Sequence, residues 1–296
     1  MKNKKFIYNY HLMLFPGVIL LILFQIIPMF GISIAFEDFI PTKGILHSPW
    51  VGWDNFKYMF NMPDSYQIFV NTIVIAVMKI VAGLIVPFVF ALILNEALNR
   101  KFKRTVQTIV YLPHFLSWVI LSGILINMLS VNGIVNAVVQ AFGGDPIMFL
   151  ASNHWFRLVL VTSDVWKEFG FNTIIYLAAL TSINTSLYEA AAIDGAGRWK
   201  RLTKITIPLL IPTAVLLTTL SLANVLNAGF EQILNLYNPI VYQTGDVIDT
   251  YVYRAGLLQA QFGLATALGL LKSVISFILI AISYRLAYRF ANYRIF

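Results

Sequence analysis

Apolar runs long enough to cross a lipid bilayer recur six times along this chain, and no other feature restricts its possible folds so sharply. A spanning helix needs about 20 mostly apolar residues, and the stretches 12–36, 69–95, 106–129, 156–183, 202–228 and 262–288 meet that length. Inside hydrocarbon every backbone N–H and C=O must be satisfied by the protein, so these runs are expected to be helices and the chain an all-α integral membrane protein. Composition agrees: 11% of the 296 residues are charged and 59% are hydrophobic, against about 25% charged in ordinary soluble domains. The first run follows Lys2, Lys4 and Lys5 and so imitates a signal peptide. It is too long for one and leads into Phe36-Glu37-Asp38 rather than a small-residue cleavage site, so it is expected to remain as an anchor. No low-complexity linker divides the sequence, which is read as a single transmembrane domain over residues 1–296.

The net charge of +8 reports topology. Of 21 basic residues, 14 lie in the N-terminal segment, the stretches 100–104 and 198–204, and the C-terminal end. Only Lys43, Lys57, Arg157 and Arg254 fall in the opposite loops, which hold Glu37, Asp38, Asp54, Asp64, Asp145, Glu231, Asp246 and Asp249. By the positive-inside rule both termini are expected in the cytoplasm, and the basic excess needs no nucleic-acid partner. Cysteine is absent, so there is no disulfide framework, thiolate metal site or cysteine nucleophile. The four histidines are scattered, and no H-E-x-x-H, G-x-S-x-G or G-x-x-x-x-G-K-[ST] pattern occurs. No metal site and no enzymatic chemistry are expected of this chain.

Between the fourth and fifth runs, Ser186 and Glu189 have the spacing of a capping box. Ala190 to Ala192 favour helix, and Asp194-Gly195 offers a stop, so a stub is expected over about 186–194. Physical chemistry alone leaves a plain capped loop helix as an equal reading. The residues Glu189-Ala190-Ala191, Asp194-Gly195-Ala196, Trp199 and Ile205-Thr206-Ile207-Pro208 together resemble the EAA signature of the membrane-spanning subunits of bacterial binding-protein-dependent ABC importers. The resemblance continues in Asn95-Glu96, Phe102 to Gln107, Tyr111-Leu112-Pro113-His114-Phe115, Asp164 to Lys167, Gly229-Phe230-Glu231-Gln232 and Asp246 to Arg254. Those segments are similar to the carbohydrate branch, and most of all to oligosaccharide permeases.

That resemblance implies six transmembrane helices of the type I importer permease kind, with a coupling helix between helices 4 and 5 that docks on an ATPase subunit. Glu189, Ala190, Ala191, Asp194 and Gly195 would make the coupling surface: alanines for close approach, Glu189 for a charged hydrogen bond, Gly195 for the turn. It also implies a second homologous permease, two ATPase subunits that bind ATP and Mg, and an extracytoplasmic sugar-binding lipoprotein. The setting would be a bacterial cytoplasmic membrane, and no cofactor would sit in this chain.

Charges within a membrane are costly and point to function or to pairing. Lys79 and Lys272 each lie about ten residues from the outer end of a span, or roughly 15 Å deep at 1.5 Å per residue. Asp164 has Lys167 at i+3 and Glu168 at i+4, so a local ion pair is available. These groups either brace the bundle or border a hydrated route for a hydroxyl-rich or carboxylate-bearing sugar. Trp166, Asn172, Tyr176, Asn224 and Asn227 have the aromatic and amide chemistry that suits a sugar, with Asn172 and Tyr176 able to share a face. The alternative is ordinary interhelical hydrogen bonding. Pro87, Pro113, Pro208 and Pro212 are candidate kinks. Two other functional classes remain: a standalone secondary transporter, which would work without partners, and a membrane scaffold.

Overall fold

The computed structural model describes residues 4–223 and 225–291, with side chains described for 10–222 and 225–285. Apart from one isolated antiparallel bridge between Glu37 and Trp50, all regular structure among the described residues is helical. In chain order the α-helices begin with α1 (Lys4–Leu21), α2 (Ile27–Met29), α3 (Asp54–Asn61), α4 (Ser65–Glu96) and α5 (Arg100–Tyr111). There follow α6 (Trp118–Leu129), α7 (Ile134–Ala141), α8 (Phe156–Thr181), α9 (Thr185–Ile193) and α10 (Arg198–Arg201). The last five are α11 (Ile207–Ala223), α12 (Phe230–Leu236), α13 (Tyr242–Gly245), α14 (Ile248–Tyr253) and α15 (Phe262–Ala291). Contacts group the described residues within 1–65 and 251–273 in one compact unit and those within 66–250 and 274–296 in another.

In the first unit, α1 runs on through a π-helical turn at Ile22–Ile26, α2 and a 3-10 stretch at Phe30–Phe36. Helix ends at Glu37, where the apolar run ends and the backbone becomes extended (φ −119°, ψ 149°). Phe36 then anchors the following loop, with ring centroids 5.5 Å from Trp50, 5.3 Å from Trp53 and 5.4 Å from Phe56. Ala35, Phe56 and Ala267 form a small core there.

The second unit has two apolar cores. One gathers Ile75, Leu121, Phe156, Leu160, Leu226 and Ile233, and the other Leu94, Tyr176, Leu180 and Leu210. Its loops are held by buried side chains rather than strands. Asn71 on α4 donates to the carbonyls of Gln243 (3.2 Å) and Asp246 (3.0 Å) and accepts from Arg157 (2.7 Å). Thr250, inside α14, donates to Asp246 Oδ1 at 2.7 Å and accepts from the Val247 amide at 2.9 Å.

Among the described residues five helical stretches are long and apolar enough to cross a membrane: Tyr10–Phe36, Ser65–Glu96, Trp118–Ala141, Arg198–Leu222 and Phe262–Arg285. The expected span at 156–183 is α8, 26 residues long. Asp164, Lys167 and Glu168 fall inside every stretch of α8 long enough to span, and this sets it apart from the other five. The expected third span, 106–129, is not one helix. The chain breaks after Tyr111 into a 3-10 turn at Leu112–Phe115, and α6 restarts at Trp118 behind Ser117, whose hydroxyl caps the Ile120 amide. Pro113 explains the break, since it cannot donate and crowds the preceding turn. Pro87 and Pro212, by contrast, lie inside continuous helices.

Candidate substrate cavity and coupling surface

A cavity of about 710 Å³ opens among α4, α8 and α11 in the second unit. Ala76, Ile80, Leu217 and Phe169 give it apolar walls, while Asp164, Asn172, Asn227 and Ser221 supply carboxylate, amide and hydroxyl groups. The volume lies within the range of about 300–1,000 Å³ usual for small-molecule sites. Amide and hydroxyl partners beside flat apolar faces are the chemistry that a sugar, with polar edges and C–H faces, requires.

Lys79 borders this cavity but is only 8% exposed, and its ammonium is engaged on three sides. It donates to the Ala228 carbonyl at 2.7 Å and to Gln232 Oε1, and lies 3.3 Å from Asp164 Oδ1. Gln232 is fully buried and in turn donates to the Leu160 carbonyl (2.8 Å) and Ser163 Oγ (2.7 Å). The chain turns at Gly229 with φ +93°, a conformation suited to glycine. A Cβ there would also crowd the Lys79 ammonium. The Gly-Phe-Glu-Gln segment thus has a physical role: it seats one buried amide against a buried cation and ties the segment before α12 to α4 and α8.

A second polar cluster lies one turn further along α8. His114 Nδ1 pairs with Glu168 Oε2 at 2.7 Å while its ring stacks on Phe171 at 4.0 Å. Lys167 donates to the His114 carbonyl (2.7 Å), approaches Glu168 Oε1 (3.2 Å) and sits over the Trp118 ring. The local Asp164–Lys167 pair expected from i, i+3 spacing is therefore not the one made. Each residue pairs elsewhere, Asp164 across to Lys79 on α4, and Lys167 with the adjacent Glu168 and the His114 carbonyl in the broken segment after α5.

The structure brings Lys79, Asp164, Asn172 and Asn227 to one cavity. Tyr176 is not with them: it is 1% exposed, packed edge-on to Phe88, and belongs to the apolar core, so Asn172 and Tyr176 do not share a cavity-facing role. Trp166 is 42% exposed and is not among the lining residues. Lys272 is half-buried on α15 within the first unit. Asn224 lies outside the described residues. Ser221 joins the cavity wall without having been singled out, and Gln232, read in the sequence only as part of a motif, gains its role from partners 72 and 69 positions away.

At the far end of α8, α9 spans Thr185–Ile193 and exposes Glu189, Ala190, Asp194 and Gly195, with Ala191 half-buried. The Ser186–Glu189 box is not the cap. Asn184 holds that position two residues earlier, in extended conformation, and its side chain accepts from the Ser186 amide at 3.0 Å. Asparagine caps as well as serine does, and here the first available one wins. The helix stops as expected, in a paired left-handed turn: Gly195 has φ +74° and donates to Ala192 (3.1 Å), and Ala196 donates to Ala191 (2.8 Å). Ile193 at the end of α9 is 88% exposed and Trp199 on α10 75%, so both present bare apolar groups. Tyr188 ties it to the start of the next span through Thr206, hydroxyl to hydroxyl at 2.9 Å.

A family model described as "Binding-protein-dependent transport system inner membrane component" matches residues 80–292. The polygalacturonan/rhamnogalacturonan transport system permease protein YteP of Bacillus subtilis (strain 168) is 40% identical over 291 residues, covering 98% of this chain and 90% of that protein. Protein LplB of the same organism is 39% identical over 281 residues, covering 95% and 87%. A solved bacterial ABC transporter involved in the import of the acidic polysaccharide alginate contains a chain that matches with a TM-score of 0.90 at 38% identity, over 97% of both chains. A bacterial alginate ABC transporter in complex with alginate pentasaccharide-bound periplasmic protein gives 0.89 at 37% identity, over 97% and 96%.

Proposed function

The chain belongs to the family of binding-protein-dependent transport system inner membrane components, and from that premise we propose that it is one of two permease subunits of an ATP-driven oligosaccharide importer. The sugar arrives on an extracytoplasmic binding lipoprotein and crosses the cytoplasmic membrane by alternating access. The observation that carries the reading is the cavity of about 710 Å³ among α4, α8 and α11, which combines apolar walls with Asn172, Asn227 and Ser221. The permease and importer relatives that handle polygalacturonan, rhamnogalacturonan and alginate support a saccharide as cargo.

In this reading α8 is the sixth span, its charges satisfied by Lys79, His114 and Lys167 instead of lipid. Both termini and α9 face the cytoplasm, where the basic residues gather. The exposed side chains Leu187, Ile193 and Trp199 enter a cleft on an ATPase subunit, with Glu189, Ala190, Ala191, Asp194 and Gly195 forming the contact. ATP and Mg bind to the two ATPase partners, and a second homologous permease completes the translocation path. Asn172 and Asn227 meet sugar hydroxyls, while Lys79 and Asp164 hold the cavity wall in shape.

The test is reconstitution with the second permease, the ATPases and the binding protein, followed by ATPase stimulation and uptake across a panel of neutral and uronate-containing oligosaccharides. ATP-dependent uptake of at least one class is expected, and it should vanish when this chain is omitted. Uptake by this chain alone, without ATP, would instead identify a secondary transporter.

A further inference from the structure

The first unit contains a smaller cavity of about 260 Å³, separate in chemistry from the one described above. Glu37, Asp38, Asn55 and Tyr58 line it from the loop after the first span, with Gln261 and Phe262 at the start of α15. Glu37 is only 4% exposed, yet its Oε2 has no hydrogen-bond partner, and no basic side chain pairs with it among the described residues. Glutamate is almost never so buried without a partner. Asn55 uses its Nδ2 group to hold the carbonyls of Ala35 and Glu37, both at 3.0 Å, which leaves its Oδ1 as an acceptor. Carboxylates, an amide oxygen and the rings of Tyr58, Phe39 and Phe262 thus surround the space, and no lining residue is basic.

This lining is complementary to a cation. A carboxylate satisfies its charge, and aromatic faces attract it further. The start of α15 offers a helix dipole to Glu37, but a dipole offsets only a fraction of the cost of burying a carboxylate. The volume falls below the usual range of small-molecule sites, about 300 Å³ and up, so it suits a side-chain head group better than a saccharide. Tyr58 and Asp38 are exposed, so the space is reachable from solvent. We propose that this pocket receives a lysine or arginine side chain of the extracytoplasmic binding protein, with Glu37 as its buried counter-charge. The assignment rests on the proposed function, since it requires a binding protein on the outer face.

The test uses the complete transporter in lipid nanodiscs, titrated with its sugar-loaded binding protein while ATP hydrolysis is followed. Glu37→Gln is expected to raise the half-saturating concentration of binding protein about tenfold or more, with hydrolysis still climbing toward the wild-type ceiling. Its affinity should also fall less steeply with salt than that of the wild type. Glu37→Asp, which keeps a carboxylate, should remain within about threefold of wild type. An unchanged half-saturating concentration and salt slope in Glu37→Gln overturns the pocket assignment and leaves the proposed function standing. A wild-type complex whose hydrolysis the binding protein does not stimulate overturns both. Failure of the Glu37→Gln subunits to assemble on size exclusion places the cation in another transporter subunit and also overturns the proposal. So does wild-type docking that follows added calcium chloride at constant ionic strength, because the occupant would then be an inorganic ion.

Discussion

Lys79 carries three N–H donors, and the structure uses each of them, on Ala228, Gln232 and Asp164. Nothing is left over for a sugar carboxylate, so its substitution should act through shape and not through charge selection. Lys79→Met is expected to lower stability by about 3 kcal/mol, the usual scale for stranding one partner of a buried ion pair. It should reduce uptake of neutral and uronate oligosaccharides alike; a loss confined to uronates would refute the bracing role. Adding Asp164→Asn should recover part of the thermal stability, which a double-mutant melting series would show. Gly195 offers a second check. Its neighbourhood is open, so the cost of a side chain comes from φ +74° alone. Gly195→Ala should destabilise the turn by about 1 kcal/mol, whereas Gly195→Asn should be milder. Substrate-stimulated hydrolysis compared with uptake would reveal whether either loosens coupling. The residue types at these sites were legible in the sequence, but the pairings were not. Spacing along a helix exposes only i+3 and i+4 neighbours, whereas Lys79 lies 85 positions from Asp164 and His114 lies 54 from Glu168.

Helix boundaries followed the sequence where apolar runs ended at charged or glycine-containing segments, as at Glu37 and Gly195. They departed from it where two signals competed. Asn184 and Ser186 both have capping chemistry, and the earlier one took the position and moved the start of α9 to Thr185. Pro113 lies in an unbroken apolar run, and hydropathy alone does not distinguish a kink from the complete break found there. The break lets α5 pack beside α8, and the two come so close at Gly170 that a Cβ would fall on the Val110 carbonyl. Backbone yields less readily than a side chain, so Gly170→Leu should cost about 3 kcal/mol or more by forcing the helices apart. Folding yield and melting temperature in detergent would measure it, and a wild-type melting temperature would show that the two helices are free to separate.

For the molecule as a whole, hydropathy and the distribution of 21 basic residues made the membrane class readable before any coordinates. Six apolar runs are readable in the sequence, and α8 is the one among them that carries three charges, which pair with Lys79, with His114 and with each other. The first span is almost uncovered by the rest of the chain, with 6% of its most apolar window buried. Such a surface needs lipid or another subunit, so this chain purified alone in detergent is expected to be less stable than the same chain held with the second permease proposed above. Thermal melting of both preparations checks this, and equal midpoints would count against a partner on that face. The helix that leads from α10 into α11 widens to a π turn at Leu202–Thr206, where the Ile207 amide reaches back to Leu202. Such a turn holds one residue more than an α turn, and each residue swings a helix by about 100°. Tightening that single loop of backbone would therefore turn α10, and the glycine turn that joins it to α9, about the axis of α11 like a key in a lock.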